Sequence, residues 1–167
     1  MEVRIASDDP EHVPGEIITR GLNVMHGYYK NEQATHAVID DEGWFHTGDL
    51  ATMTPDGHVF IRGRIKNMLL GSNGQNVYPE EIEDKLNSMA LVGESLVVQR
   101  GDQLVALVHP DTDEVKAMGF DQADLEGVME QNRTTLNAIL PHFCKLAAIQ
   151  LQEHEFEKTP KKSIKRY

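Results

Sequence analysis

The stretch that most constrains this chain is residues 63–83, GRIKNMLLGSNGQNVYPEEIE, which joins a strand-rich part to a part that contains helices. It holds a charged turn, a short apolar run, a glycine-spaced polar loop and a proline at the start of a helix. A glycine-rich polar loop buries little apolar surface and loses much backbone entropy on folding. Such a segment usually approaches a ligand or another backbone, so we expect it to be functional.

The residues before this stretch are typical of short strands that are joined by turns. Gly48-Asp49 predicts a turn between two strands, and Thr54-Pro55-Asp56-Gly57 predicts a hairpin turn. This part is too short and too rich in turns for a convincing core of its own. We therefore expect it to expose an apolar face that a missing domain or a second copy of the chain covers. The candidates for that face are Val24, Trp44, Phe45 and Phe60.

The residues after this stretch predict the element order β-β-α-β-β-α-β, which is an α+β unit of about a hundred residues. One helix is expected to begin at Pro79, where the first turn tolerates proline, and another at Asp121. The fold class expected for the whole chain is therefore α+β. It consists of a β-rich N-terminal segment followed by a small domain with a mixed sheet and helices.

Composition excludes several classes of protein. The chain has 167 residues and a formal net charge of −11, which argues against a nucleic-acid binder. Its one cysteine, Cys144, follows Phe143 near an apolar stretch and is expected to be a small buried hydrophobe. The eight histidines show no spacing that suggests a metal site. No signal peptide or membrane-spanning run is evident, so we expect a cytoplasmic protein, either free or at a membrane surface.

Three stretches together resemble the adenylate-forming superfamily, which contains acyl-CoA synthetases, aryl-CoA ligases, luciferases and adenylation domains. They are GEIITRGLNVMHGYYKNEQAT, GWFHTGDLATMTPDGHVFIRGR and the opening stretch. The resemblance implies that residues 1–65 end the large AMP-binding domain and that residues 66–167 form the mobile C-terminal domain. The superfamily's phosphate loop, acyl pocket and Mg²⁺-binding carboxylate would lie upstream, in an N-terminal large domain that is the expected partner.

The function that this resemblance implies is that of an acid–thiol ligase. With ATP and Mg²⁺, the full protein would form acyl-AMP, and CoA would then displace AMP to give acyl-CoA. Residues 21–29 look most like medium- or long-chain fatty-acid ligases. The alternatives are an adenylation domain that loads a carrier protein and a module that binds nucleotide or CoA without catalysis. This chain alone is not expected to complete either half-reaction.

The resemblance also assigns roles to residues near the expected hinge. Asp49 corresponds to the aspartate that binds ribose, although a turn aspartate can also bond its own backbone. Arg64 corresponds to an arginine that contacts ribose or phosphate, and its alternative is a surface ion pair. Lys66 falls at the hinge of domain rotation. Gly74, Gln75 and Asn76 would lie near the pantetheine of CoA, where a plain β-turn is the alternative.

The C-terminal stretch departs from the superfamily pattern. That pattern has threonine-proline, two small residues, the catalytic lysine, an aliphatic residue and, two further on, an arginine. Aligned on Thr159, Ile164 and Arg166, the lysine position holds Ser163. Serine cannot supply the positive charge that stabilises the adenylate-forming transition state. We therefore expect the adjacent Lys162 to substitute, while loss of the lysine or slow adenylation stays open.

Overall fold

The computed structural model describes residues 1–71 and 74–166 and divides into two compact units, Met1–Lys66 and Asn67–Tyr167. The boundary lies inside the stretch that joins the two sequence patterns. Two residues of its polar loop, Ser72 and Asn73, are outside the described residues. Strands and a few helices form both units, which confirms the α+β fold class.

The first unit is a four-stranded antiparallel sheet in which each strand pairs with the next along the chain. Its one helix, α1, begins after Asn31, whose side chain accepts a hydrogen bond from the Ala34 amide as an N-cap. Asparagine is a favoured N-cap residue, so this helix start has a local sequence signal, whereas the first strand was not predicted. The elements are β1 (Glu2–Ala6), β2 (Gly15–Arg20), α1 (Glu32–His36), β3 (Phe45–Met53) and β4 (Val59–Arg64).

The predicted turn at Gly48-Asp49 is wrong. Strand β3 runs without interruption through both residues, and Asp49 pairs across the sheet with Arg64 of β4. Gly48 has a φ of 73°, and the register of β3 shifts against both of its neighbours near this point. Glycine adopts such a φ without strain, so the irregularity bends the strand without ending it.

The expected apolar face is partly present. Phe60 is 53% exposed, and its neighbours Val59 and Ile61 on β4 are also exposed. The expectation for Trp44 is wrong, because this side chain is only 3% exposed. The guanidinium groups of Arg4 and Arg20 lie over its ring, 4.4 and 4.6 Å from the centroid. Cation–π contacts within the unit thus cover an aromatic ring that we expected to need an outside partner.

The second unit contains a three-stranded sheet in the order β7-β8-β9 and a separate short pair, β5-β6. Strands β7 and β8 form an antiparallel hairpin, whereas β9 lies parallel to β8. A parallel neighbour requires a crossover, and helices α3 and α4 provide it. The strands are β5 (Leu69–Leu70), β6 (Asn76–Val77), β7 (Val92–Arg100), β8 (Gln103–Pro110) and β9 (Leu146–Leu151).

The helices of the second unit close over its sheet. Helix α2 packs against β7, and α4 packs against β9. Asp121 caps α4 in a capping box with Asp124, and Pro79 opens α2 as the sequence predicts. The buried core includes Ile82 and Leu86 of α2 with Leu136 of α4. The helices are α2 (Pro79–Leu86), α3 (Thr112–Met118), which the sequence analysis missed, and α4 (Gln122–Ile139).

Across residues 1–71 and 74–166, no helix is both long and apolar enough to cross a membrane.

Candidate functional site

Asp49 and Arg64 face each other on β3 and β4. Arg64 Nε lies 2.8 Å from Asp49 Oδ1, and the two side chains are 58% and 32% exposed. Arg64 Nη1 also donates to the Thr47 carbonyl at 3.3 Å, while the Asp49 amide donates to Thr47 Oγ1 at 3.1 Å. The structure thus brings together a carboxylate and a guanidinium that both remain open to solvent. Such a pair can accept hydroxyl donors and bind anionic oxygen.

The strand segment that carries Asp49 is fastened to the neighbouring strand. Thr47 Oγ1 donates to the Ile17 carbonyl at 2.8 Å, and the Gly48 amide donates to Glu16 Oε1 at 2.9 Å. Sequence reasoning missed Glu16, because it lies more than 30 positions before Gly48 and only the β2-β3 register brings them together. Asp49 therefore sits on a braced segment of sheet and not on a free turn.

Lys66 lies in a single 3₁₀ turn, Ile65–Asn67, at the boundary of the two units, and its side chain is exposed. The next residue, Asn67, is tied into the second unit, because its Nδ2 donates to Glu80 Oε1 of α2 at 2.6 Å. A short 3₁₀ turn has weaker hydrogen-bond geometry than an α-helix. The hinge role of Lys66 stays a prediction.

Gly74, Gln75 and Asn76 lie on the return side of the β5-β6 hairpin, and all three are exposed. The Gly71 amide donates to the Gln75 carbonyl at 2.8 Å, which closes the loop. Gly74 has a φ of 77°, so the backbone conformation itself favours glycine there. A Cβ at Gly74 would meet no described atom within 4 Å, so the positive φ and not close packing favours glycine at this position.

The C-terminal stretch forms a short hairpin of its own. Lys158 and Ile164 form a β-bridge, and the Thr159 amide donates to the Ser163 carbonyl at 2.8 Å. The Lys162 amide donates to the Thr159 carbonyl at 2.8 Å, which closes a turn. Lys162 follows in the left-handed region with a φ of 63°. This position of a three-residue hairpin loop favours glycine.

Both residues that compete for the catalytic lysine position are exposed on this hairpin. Ser163 supplies a backbone acceptor to the hairpin, and Lys162 occupies its left-handed position. The side chain of Lys162 therefore leaves the backbone in a direction set by the turn. The catalytic role of Lys162 stays a prediction.

Two ion pairs fasten the ends of the hairpin to the second unit. Lys158 Nζ contacts Glu94 of β7, and Arg166 makes a bidentate pair with Glu83 of α2 at 2.9 and 2.5 Å. Glu83 also accepts the Val97 amide of β7 at 2.6 Å. Burial raises the pKa of the Glu83 carboxyl above its ordinary value, against the opposing effect of Arg166. No local sequence pattern indicates that Glu83 is the partner of Arg166, because the two residues lie 83 positions apart.

Cys144 is half-buried, and burial raises its thiol pKa to about 11. A thiol of this kind is largely protonated near neutral pH and is a poor nucleophile. Cys144 was expected to be a small buried hydrophobe, and the structure shows it partly buried against the core of the second unit. Among the residues that the structure describes, no three His, Cys, Asp or Glu side chains come together in a way that could hold a metal ion.

The amino-acid sequence of this chain is similar to parts of known CoA ligases. The chain is 41% identical over 117 residues to the indoleacetate–CoA ligase of Aromatoleum aromaticum, covering 65% of this chain and 22% of the ligase. It is 38% identical over 120 residues to the peroxisomal long chain acyl-CoA synthetase 6 of Arabidopsis thaliana, covering 70% and 17% respectively. The chain thus spans about a fifth of the length of these curated relatives.

The fold has solved counterparts as well. The adenylation domain of a carboxylate reductase from Mycobacterium chelonae superposes with a TM-score of 0.87 at 20% identity, covering 99% of this chain and 28% of that one. At that identity the likeness shows the fold alone. The family model for the AMP-binding enzyme C-terminal domain matches residues 66–167, well over half of the chain. The chain therefore belongs to the AMP-binding enzyme family through this C-terminal domain, and the resemblance to adenylate-forming acyl-CoA synthetases is confirmed.

Proposed function

We propose that this chain is the C-terminal part of an ATP-dependent acyl-CoA ligase that acts on fatty acids. The full protein activates a carboxylic acid with ATP as acyl-AMP and then transfers the acyl group to CoA. Curated relatives that are CoA ligases support the ligase class. The choice of medium- or long-chain fatty acids rests on residues 21–29 alone. The location in the cytoplasm stays a prediction.

The observation that carries this proposal is the Asp49–Arg64 pair. Its carboxylate oxygen and guanidinium are 2.8 Å apart on adjacent strands and are accessible to solvent. A ribose presents two hydroxyl donors, which a carboxylate accepts, and a nearby phosphate suits the fork of donors on arginine. In the proposed reaction, Asp49 binds the ribose hydroxyls of ATP and Arg64 contacts ribose or phosphate.

The remaining roles follow the order of the two half-reactions. Lys162 supplies positive charge to the carboxylate and α-phosphate during adenylation, in place of the family lysine at Ser163. The C-terminal domain then rotates about Lys66, where few residues need to absorb the motion. Gly74, Gln75 and Asn76 next approach the pantetheine chain of CoA. The Mg²⁺ that accompanies ATP binds to residues of the large domain outside this chain.

The test is a two-step assay of the full-length protein. Pyrophosphate release is measured with ATP and a panel of carboxylic acids of increasing chain length, and AMP release is then measured with CoA or with a pantetheinylated carrier protein. Fatty-acid-dependent pyrophosphate release followed by CoA-dependent AMP release is the expected result. AMP release only with the carrier protein would favour carrier loading, and no pyrophosphate release with any acid would favour a module without catalysis.

A further inference from the structure

One carboxylate braces the strand segment that carries Asp49. Glu16 of β2 accepts the Gly48 amide through Oε1 at 2.9 Å and meets His46 Nδ1 through Oε2 at 2.7 Å. The Glu16 side chain is only 18% exposed. Its two oxygens therefore join two points of β3, one on each side of Thr47.

This brace acts where the backbone of β3 is irregular. The register between β2 and β3 shifts between Glu16 and Ile18, and Gly48 has a φ of 73°. Glycine reaches this conformation easily, but it reaches others equally easily. The bond from the Gly48 amide to Glu16 adds to the strand pairing on both sides in favouring the observed conformation. The direction of the next side chain, Asp49, depends on that conformation.

The side chain of His46 in turn helps to hold the Glu16 carboxylate in place. Two carboxylates face the imidazole, Glu16 from β2 and Asp40 from the segment before β3, with His46 Nε2 lying 3.5 Å from Asp40 Oδ2. The hydrogen bond to Glu16, aided by both negative charges, raises the pKa of His46 above its ordinary value. Protonated imidazole holds Glu16 by charge as well as by hydrogen bond, and neutral imidazole holds it by hydrogen bond alone.

We propose that Glu16 and His46 are positioning residues for nucleotide binding, which fix the Thr47-Gly48-Asp49 segment and loosen it when His46 loses its proton. The inference rests on the proposed role of Asp49 in binding ribose. It predicts that the KM for ATP rises as the pH rises through the pKa of His46. The kcat of pyrophosphate release at saturating ATP should change less than the KM, because the segment is proposed to contact the ribose and not the reacting carboxylate and α-phosphate.

Two variants separate the brace from ordinary folding effects. Glu16→Gln keeps the shape and one acceptor oxygen but removes the charge, and His46→Gln removes the titrating group. Both should raise the KM for ATP about threefold to tenfold at the acidic end of the range, in keeping with the loss of a charged hydrogen bond. Both should also flatten its pH dependence. His58→Gln is the matched control, because His58 pairs with Asp56 at 2.7 Å on the exposed turn of the same sheet.

The experiment combines two measurements. The first follows the amide resonance of Gly48 by NMR in this chain, from about pH 5 to pH 8, the range in which histidine titrates. It should move with the titration of His46 in the wild type and in His58→Gln, but not in Glu16→Gln. The second measures the KM for ATP and the kcat of pyrophosphate release in the full-length enzyme over the same range.

The outcomes distinguish the inference from the function on which it rests. The positioning role is overturned if the Gly48 amide resonance does not change as His46 titrates. It is also overturned if the KM for ATP of the His46→Gln enzyme follows the wild-type pH profile. If Asp49→Asn leaves the KM for ATP unchanged, the ribose assignment fails and the nucleotide part of the inference fails with it. A raised KM in Asp49→Asn without any change in His46→Gln leaves the proposed function intact and removes only the brace.

Discussion

Glu83 and Arg166 are 83 positions apart and form a bidentate ion pair in which the side chains are only 9% and 17% exposed. The pair joins helix α2 to the end of the C-terminal hairpin. Glu83 also accepts the Val97 amide, so one carboxylate links a helix, a strand and the hairpin. These contacts within the second unit therefore fix the position of the C-terminal hairpin.

Removing one partner of this pair should destabilise the chain. Arg166→Ala leaves the buried Glu83 carboxylate without its opposite charge, and breaking a buried pair costs about 3 kcal/mol. The free energy of unfolding, measured by urea denaturation, should fall by about this amount. Lys165→Ala is the control, because its pair with Glu157 is exposed and contributes less than about 1 kcal/mol. Adding Glu83→Gln to Arg166→Ala should recover part of the loss, and no recovery would contradict the account.

The stability of the chain should depend on pH in a way that reflects the raised pKa of Glu83. Burial raises the pKa of Glu83 in the folded state above its ordinary value, so the folded chain binds this proton more tightly than the unfolded chain. Its contribution to stability is therefore complete below the unfolded pKa and disappears as the pH rises through the folded pKa. The difference in unfolding free energy between wild type and Glu83→Gln should shrink over that interval. A difference that grows with pH would mean that Arg166 outweighs burial.

Lys162→Gly should stabilise the hairpin. Lys162 has a φ of 63°, and a left-handed conformation costs a non-glycine residue about 1 kcal/mol. The midpoint of thermal unfolding should therefore rise slightly, as measured by circular dichroism. Lys161→Gly is the control, since Lys161 precedes the left-handed position and should gain no such relief.

The same residue tests the proposed chemistry. In the full-length enzyme, Lys162→Ala should slow acyl-adenylate formation about a hundredfold, the scale of losing one electrostatic stabiliser. It should hardly change thioester formation from supplied acyl-adenylate. The double variant Lys162→Gly/Ser163→Lys should restore adenylation, because it puts the lysine back at the family position. Equal losses in both half-reactions would rule out the assignment of Lys162.

Asp49→Asn should raise the KM for ATP of the full-length enzyme about tenfold, since a hydrogen bond to a charged group contributes about 1.4 kcal/mol or more. Pyrophosphate release at varied ATP measures the effect. Asp56→Asn, in the exposed turn between β3 and β4, is the matched control. An unchanged KM would show that Asp49 serves only its bond with Arg64.

Local patterns predicted much of the fold. Caps at Asn31 and Asp121, the proline at the start of α2 and the alternation in β7 and β8 are each encoded within a few residues. The continuous β3 was missed because Gly48-Asp49 is also a strong turn pattern, and only pairing with β2 and β4 keeps the strand extended. Trp44 was misjudged because its cover comes from two arginines distant in sequence.

The residues of the candidate site also fall into two groups, those that a local motif indicates and those that no local motif indicates. Asp49, Arg64 and Gly74 stand in recognisable motifs, so the sequence indicates them directly. The brace formed by Glu16 and His46 has no local pattern, since its members lie 30 positions apart and meet only through strand register. The same holds for Glu83 and Arg166. Local motifs thus indicate the residues that are expected to contact ligands. The residues that hold these in place are identified only once the fold is known.

The pairing of Asp49 with Arg64 has a consequence for selectivity. The carboxylate and its cationic partner offer a ligand two opposite charges side by side, and both remain accessible to solvent. A free sugar would form hydrogen bonds with the carboxylate only, and a free phosphate would bind the guanidinium only. A molecule that offers hydroxyl donors and anionic oxygen together can satisfy both at once. We therefore expect the pair to favour nucleoside phosphates over a free sugar or a free phosphate.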